Sequence, residues 1–291
     1  MTLLGQGEHC SLDPRRLARL GLGVGRQIRI ASQSALGLYT ISETRDESDD
    51  LIVRMALAAR QRLGMDDEGD VDLDARVPHP TLSDTEARTQ SEFVERLDDD
   101  GRQRTLAVLA PHGGDIEAGT DLQAERVGAA LGPRRASVWQ CRGFGAEDGA
   151  FRPWHITSTD IDPASFPRLQ TLTRRPFSTA VAFHGFSEAD VLIGGRAPAA
   201  LKREIARAIQ GALAGTDIPV RIAQRSEQYN GDDPANIVNR ITFRGQGGVQ
   251  IEQSIEARSR HGLAIADAVA SVLLRRLARP SAAHGTKRQG R

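Results

Sequence analysis

The sequence predicts an α/β protein: a mixed, mostly parallel sheet flanked by helices, preceded by a small β-rich module. Three observations carry this expectation. After residue 101, short near-continuous apolar runs alternate with helical patterns, as strands covered on both faces do. Before residue 64, short segments with alternating polarity are separated by turns. Between them lies an acidic, proline-bearing stretch without apolar period. The length of 291 residues suits one large domain or two smaller ones, and 39% hydrophobic with 26% charged residues excludes wholesale disorder.

In chain order, Asp13-Pro14 opens a short helix over 15–20 that Gly21 stops. Gln27–Ala31 and Leu36–Ile41 read as strands of the first module, residues 1–64. Residues 65–100 read as an acidic linker carrying one short amphipathic helix, Thr85–Leu97. The main domain, 101–278, is expected to hold strands at Leu106–Ala110, Ser137–Trp139, Thr179–Phe183, Val191–Ile193, Val220–Ala223 and Val249–Ile251. Its helices are expected at Asp121–Leu131 with Thr120 as N-cap, Ser165–Arg174, Ala199–Ala214 and Leu263–Leu277. Residues 279–291 form a basic tail of disordered composition.

No apolar run approaches the roughly 18 residues of a membrane span, and the start lacks a secretory signal's basic and apolar regions, so no membrane partner and a cytoplasmic setting are expected. Two cysteines, Cys10 and Cys141, exclude a disulfide framework and a structural zinc cluster. The zero net charge hides an asymmetry. Residues 1–100 carry 20 acidic against 12 basic side chains, and the remainder 18 against 26. A basic back half favours anionic partners.

The segment Pro111-His112-Gly113-Gly114-Asp115-Ile116-Glu117-Ala118-Gly119-Thr120 follows a buried strand and precedes a helix. In open α/β sheets ligands bind beyond the carboxyl ends of strands. His184 ends the strand Thr179–Phe183, and Glu252 ends Val249–Ile251, so a parallel sheet can bring three such polar ends to one edge. Two histidines and a glutamate with an open fourth position are a catalytic zinc set, and a further carboxylate, Glu252, would serve as general base. Other readings stay open from spacing alone. A strand-end histidine is often a core histidine, Glu117 would also favour the following helix N-terminus, and Asp115 is a competing ligand.

The segment 111–120 resembles the signature of the poly-γ-glutamate hydrolase family, zinc amidohydrolases of phages and bacteria with a carboxypeptidase-like fold. The resemblance continues in order through His155–Thr159, Ala182–Gly185, Ile193–Arg196, Asn236–Arg240 and Gly248–Glu252, covering about 101–278. It implies His112, Glu117 and His184 as ligands of Zn2+, Glu252 as general base, and hydrolysis of γ-glutamyl or related acidic amides by zinc-activated water. It also implies an anionic, peptide-like substrate; the start without a recognisable signal leaves either intracellular action or, if the chain is phage-borne, release by lysis as the expected setting. A substrate with a free carboxylate on every residue calls for cations, so Arg196 and Arg240, with Asn239 beside them, are candidate substrate contacts. Arg258 and Arg260 read as solvated surface. His155 is a candidate outer partner of the site, or a proton donor near it, as well as a structural residue, and Asp115 is a second candidate for the outer shell. His9 and Cys10 look incidental.

The alternative reading is a non-catalytic polyanion- or nucleic-acid-binding protein that keeps the fold. Two Trp and two Tyr in the whole chain make a poor stacking platform, and a binder has no use for a general base.

Overall fold

The computed structural model describes residues 7–145 and 149–278, organised around two sheets. The basic tail at 279–291 lies outside the described residues.

The first sheet has the order β4-β1-β3-β2-β5, with β1 His9–Leu12, β2 Gln27–Ala31, β3 Leu36–Thr44, β4 Val53–Met55 and β5 Asp72–Asp74. Alternation in Gln27–Ala31 sends Ile28 and Ile30 into a core with Tyr39, Ile41 and Leu12. The helix α1 (Pro14–Leu20) forms where the sequence predicts it. The Asp13 carboxylate accepts the Arg15 N–H at its start, and Gly21 takes a left-handed φ of 66° at its end. A second helix, α2 (Leu57–Arg62), packs nearby, and the Tyr39 hydroxyl donates to the Ala59 carbonyl at 2.9 Å.

The stretch predicted as a linker is partly built into both sheets. Asp72–Asp74 pairs antiparallel with β2. The helix expected over Thr85–Leu97 ends at Thr89 as α3 (Asp84–Thr89), and Phe93–Asp98 is an edge strand, β6. Two local features explain the break. Ser83 and Glu86 form a reciprocal capping box that starts α3, and Ser91 adopts a left-handed φ of 54° that turns the chain. Antiparallel pairing with the strand Ser137–Gly143 then overrides the helix-favouring composition.

The second sheet runs β11-β10-β12-β9-β7-β8-β6, with β7 Leu106–Gly114, β8 Ser137–Gly143, β9 Thr179–Phe183, β10 Val191–Gly194, β11 Val220–Ile222 and β12 Gly248–Gln253. Four of its pairings are parallel and two antiparallel, the mixed, mostly parallel sheet the sequence predicts. The helices α4 (Thr120–Leu131), α7 (Ala199–Ala212) and α9 (Ile255–Ala278) cover one face, where Val108, Val127, Val181, Ile205 and Ile265 share a core. Thr120 is the first residue of α4, and Gly119 caps it instead. On the opposite face, α5 (Phe151–Trp154), α6 (Pro167–Thr173) and α8 (Ile237–Arg240) pack over Leu109, Trp139 and Ala182. That second core also takes in Leu38 of β3, so the small sheet is packed against the large one.

The strand order β12-β9-β7 is what positions the site. The three strands are parallel neighbours, with Ile251 opposite Phe183 and Ala182 opposite Leu109. Their carboxyl ends therefore open at one place on the sheet edge.

Candidate metal centre

His112 leaves β7 at a register shift between Ala110 and Gly113, beside Pro111, which has no N–H to offer the ladder. Gly114 follows with a left-handed φ of 69°, so the chain turns at once and brings Glu117 back beneath His112. The Glu117 N–H donates to the His112 carbonyl at 2.9 Å, closing that turn. His184 follows the last residue of β9, and Glu252 lies in β12 one strand away. All four side chains are buried, and all four line one cavity of about 760 Å³.

Donor atoms of three side chains meet there. His112 Nδ1 is 3.0 Å from Glu117 Oε1 and 3.3 Å from His184 Nδ1, and His184 Nδ1 is 3.5 Å from Glu117 Oε2. Tetrahedral zinc bonds of 2.0–2.2 Å give edges of about 3.4 Å between ligands. The three distances fall near that edge length, with the two imidazoles facing different oxygens of Glu117. His112 Nε2 lies 2.9 Å from the Ile156 carbonyl. In the neutral ring a hydrogen on Nε2 leaves Nδ1 as an acceptor. Without a metal, burial pushes the pKa of this ring down, but the Glu117 carboxylate outweighs it and favours a proton there. A divalent metal would satisfy His112 Nδ1, Glu117 and His184 Nδ1 at once, in place of a proton shared between them. The Gly185 N–H holds Glu117 Oε2 at 2.9 Å, the outer support such ligands usually have. His155 also brings a donor atom within 4.8 Å of His112 and Glu117. Its Nδ1 is paired with Glu8 at 2.6 Å, which leaves Nε2 as its remaining candidate ligand atom, and the shorter contacts are the ones through His184.

The electrostatics separate two carboxylates. Burial pushes the Glu117 carboxyl up, but the imidazoles of His112 and His184 outweigh it and hold the group well below the ordinary range. Burial and the neighbouring charge of Glu117 push Glu252 well above that range, against the opposing hydrogen bond from Gln250 and the charge of Arg258. Paired carboxylates with environments that push them apart are a pattern of acid–base sites. Gln250 Nε2 donates to Glu252 Oε1 at 2.8 Å, and Gln250 Oε1 accepts from Asn236 Nδ2 at 2.6 Å.

A model of the poly-gamma-glutamate hydrolase family matches residues 82–262. The chain belongs to this family. Membership makes it a hydrolase. Among solved structures, the hydrolase is similar to a bacteriophage poly-gamma-glutamate hydrolase at 24% identity, over 64% of this chain and 89% of that one, with a TM-score of 0.49. It is similar to the zinc-free apo form of YNDL at 21% identity, over 70% and 97% of the two chains, with a TM-score of 0.48. A metallo-carboxypeptidase from Burkholderia cenocepacia matches at 9% identity, over 87% and 81%, with a TM-score of 0.42. No curated protein sequence matches. No helix among the described residues of the hydrolase is long and apolar enough to cross a membrane.

The sequence-predicted residues divide between this cavity and elsewhere. His112, Glu117, His184, Glu252 and His155 line it. Asp115 does not; its carboxylate pairs with Arg88 at 2.8 Å near the surface. Arg240 donates to the Ile161 carbonyl at 2.9 Å, and buried Asn239 donates to the Gly231 and Asp233 carbonyls, which organises the loop 231–233. Arg196 lines a separate polar cavity of about 410 Å³ with Lys202 and Arg225. Asn230 lies on both cavities. The arginine that does enter the first cavity is Arg258, which the sequence reading placed on the surface. Its guanidinium donates to the Ala118 carbonyl at 2.8 Å, and a Cβ on Gly185 would lie 2.4 Å from it, so glycine there admits the arginine. Arg258 lies six residues after Glu252, in the first turn of α9, where no local sequence feature sets it apart from Arg260.

Proposed function

We propose that the protein is a zinc-dependent amidohydrolase that cuts γ-glutamyl amide bonds in poly-γ-glutamate or a related acidic γ-glutamyl peptide. The observation that carries this reading is the triangle of His112 Nδ1, Glu117 and His184 Nδ1 at 3.0–3.5 Å beside the buried carboxyl of Glu252. His112, Glu117 and His184 would hold the metal. When bound, zinc supplies a Lewis acid for the scissile carbonyl and lowers the pKa of its water to about 7.

The chain's own groups do the rest. Glu252 takes the proton of the attacking water and returns it to the leaving nitrogen. The hydrogen bond from Gln250 fixes one oxygen of that carboxylate and leaves the other for the proton. Arg258, close enough to Glu117 and Glu252 to feel both charges, offers a cation to the developing oxyanion or to a substrate carboxylate. The neighbouring cavity with Arg196, Lys202 and Arg225 is suited to further carboxylates of a polymeric substrate.

Elemental mass spectrometry of the purified protein and of His184→Ala tests the centre. About one zinc per chain in the wild type, lost in the variant, is the expected result. Poly-γ-glutamate shortened by the wild type and left intact by His184→Ala completes it. A wild type that binds no zinc even when zinc is added overturns the reading.

A further inference from the structure

The N-terminal sheet lies outside residues 82–262, yet one of its side chains reaches the cavity wall. Glu8 is anchored to that sheet by its own carbonyl, which accepts the Thr40 N–H of β3 at 2.7 Å. Its carboxylate leaves the sheet and ends on the large domain. Oε1 lies 2.6 Å from His155 Nδ1, while Oε2 accepts the Thr157 N–H at 3.0 Å and the Thr157 hydroxyl at 3.2 Å. Both residues line the cavity. The His155 ring is stacked on Phe151 at 4.3 Å and lies 4.4 Å from the ring of His112. Arg62, at the end of α2, holds the same segment from behind by donating to the His155 carbonyl at 2.9 Å and to the Arg152 carbonyl.

The arrangement differs from ordinary docking. Arg26 and Gln27 also cross between the sheets, but they end on Ser165 and on the backbone of Asp160 and Asp162, none of which lines the cavity. Glu8 alone among these crossing side chains holds both a ring and a backbone amide of the wall. Burial would push its carboxyl up, but His155, Arg62 and the Thr157 amide draw it down to about 2, so the group stays ionised across the working range.

We propose that Glu8 is a positioning residue of the catalytic cavity, so that the N-terminal sheet is an integral part of the active site and not a separable binding module. The inference rests on the reading of this cavity as the reaction centre. By accepting from Nδ1, Glu8 fixes the plane and tautomer of His155, and through Thr157 it fixes the backbone that follows. Supports of this kind typically change activity by about 10–100-fold when removed.

The test uses the full chain, loaded with zinc, as wild type, Glu8→Ala, Glu8→Gln and, as a docking control, Arg26→Ala. Nitrogen-15 labelling of the histidines reports His155 directly, without any substrate. Wild type and Arg26→Ala are expected to show one fixed tautomer with a hydrogen-bonded Nδ1–H, and Glu8→Ala an averaged ring. On poly-γ-glutamate, kcat of Glu8→Ala is expected to fall at least about tenfold with KM within about twofold and with zinc content unchanged. Glu8→Gln keeps an acceptor and should recover part of kcat; it also carries the test if Glu8→Ala does not fold. A His155 spectrum unchanged in both Glu8 variants overturns the proposal, as does kcat within about twofold of wild type once the ring is averaged. If the wild type leaves poly-γ-glutamate intact, the substrate reading fails while the His155 spectrum still decides the role of Glu8.

Discussion

Both sheets bury polar side chains, and those that cross from the small sheet differ from those that converge at the edge of the large one. In the small sheet, Gln27 and Arg29 each end on a complementary partner: Gln27 on the backbone of Asp160 and Asp162, Arg29 on both oxygens of Glu92 at 2.9 Å. Arg29 also lies 5.1 Å over the Trp154 ring. At the carboxyl edge of the large sheet, two imidazoles and a carboxylate converge instead. His112, Glu117 and His184 lie within 3.0–3.5 Å of one another, and His184 Nε2 is buried without a hydrogen-bond partner among the described residues. Satisfied burial of polar groups is a way of joining two layers, whereas unsatisfied convergence is costly unless something binds there. The convergence supports the edge of the large sheet as the proposed metal centre, and Gln27, Arg29 and Glu8 are among the side chains that tie the small sheet to the layer carrying it.

The strongest way to break this contrast is to remove members of the convergent set. Glu252→Gln is expected to keep about one zinc per chain while losing roughly 10²–10⁴-fold in kcat, the usual contribution of a general base. His112→Ala is expected to lose both metal and turnover. Elemental analysis and initial rates on the same preparations separate the two, and full activity in Glu252→Gln would remove it as the base.

A smaller effect should come from the group behind the base. Gln250 ties Glu252 to Asn236, which also caps α8 by accepting the Val238 N–H at 3.1 Å. Gln250 further donates to the carbonyl of Tyr229 at 3.3 Å, and Tyr229 sits on the cavity with a left-handed φ of 62°. Such a conformation in a bulky residue persists only where its surroundings impose it. Gln250→Leu is therefore expected to lower kcat by about 10–100-fold with zinc retained. Unchanged kcat in that variant would show that Glu252 needs no support from this side.

Much of the large sheet was legible because burial on both faces writes itself as apolar runs, and Thr179–Phe183 is a strand with the very bounds its sequence suggests. The convergence of His112, His184 and Glu252 was legible only as three separate strand ends. Their adjacency depends on strand order, which separations of 72 and 68 residues do not encode. Phe93–Asp98 misleads for a definable reason: its Glu95 is a buried acceptor for Trp139 Nε1 and the Leu169 N–H, both at 2.7 Å, so a helix-like polar residue serves a strand. Arg258 was hidden by composition, since nothing local distinguishes it from Arg260, which makes an exposed pair with Glu256 on the same helix. Glu8 could not be found from sequence at all, because its partners lie 147 and 149 residues away.

The smallest expected effect tests whether the small sheet contributes stability through that same contact. The Glu8 carboxyl is held at about 2 in the folded protein against an ordinary value of 4.5. Because the folded value is the lower one, the contribution is complete above about pH 5 and disappears as pH falls from about 4.5 towards 2. Such a shift corresponds to at most about 3 kcal/mol. Denaturant unfolding of the wild type and Glu8→Gln at a series of pH values measures it. The difference between the two should be largest near neutrality and close to zero by about pH 2. A difference that stays constant across that range would mean that the lost hydrogen-bond geometry, and not the charge of Glu8, joins the small sheet to the wall of the cavity.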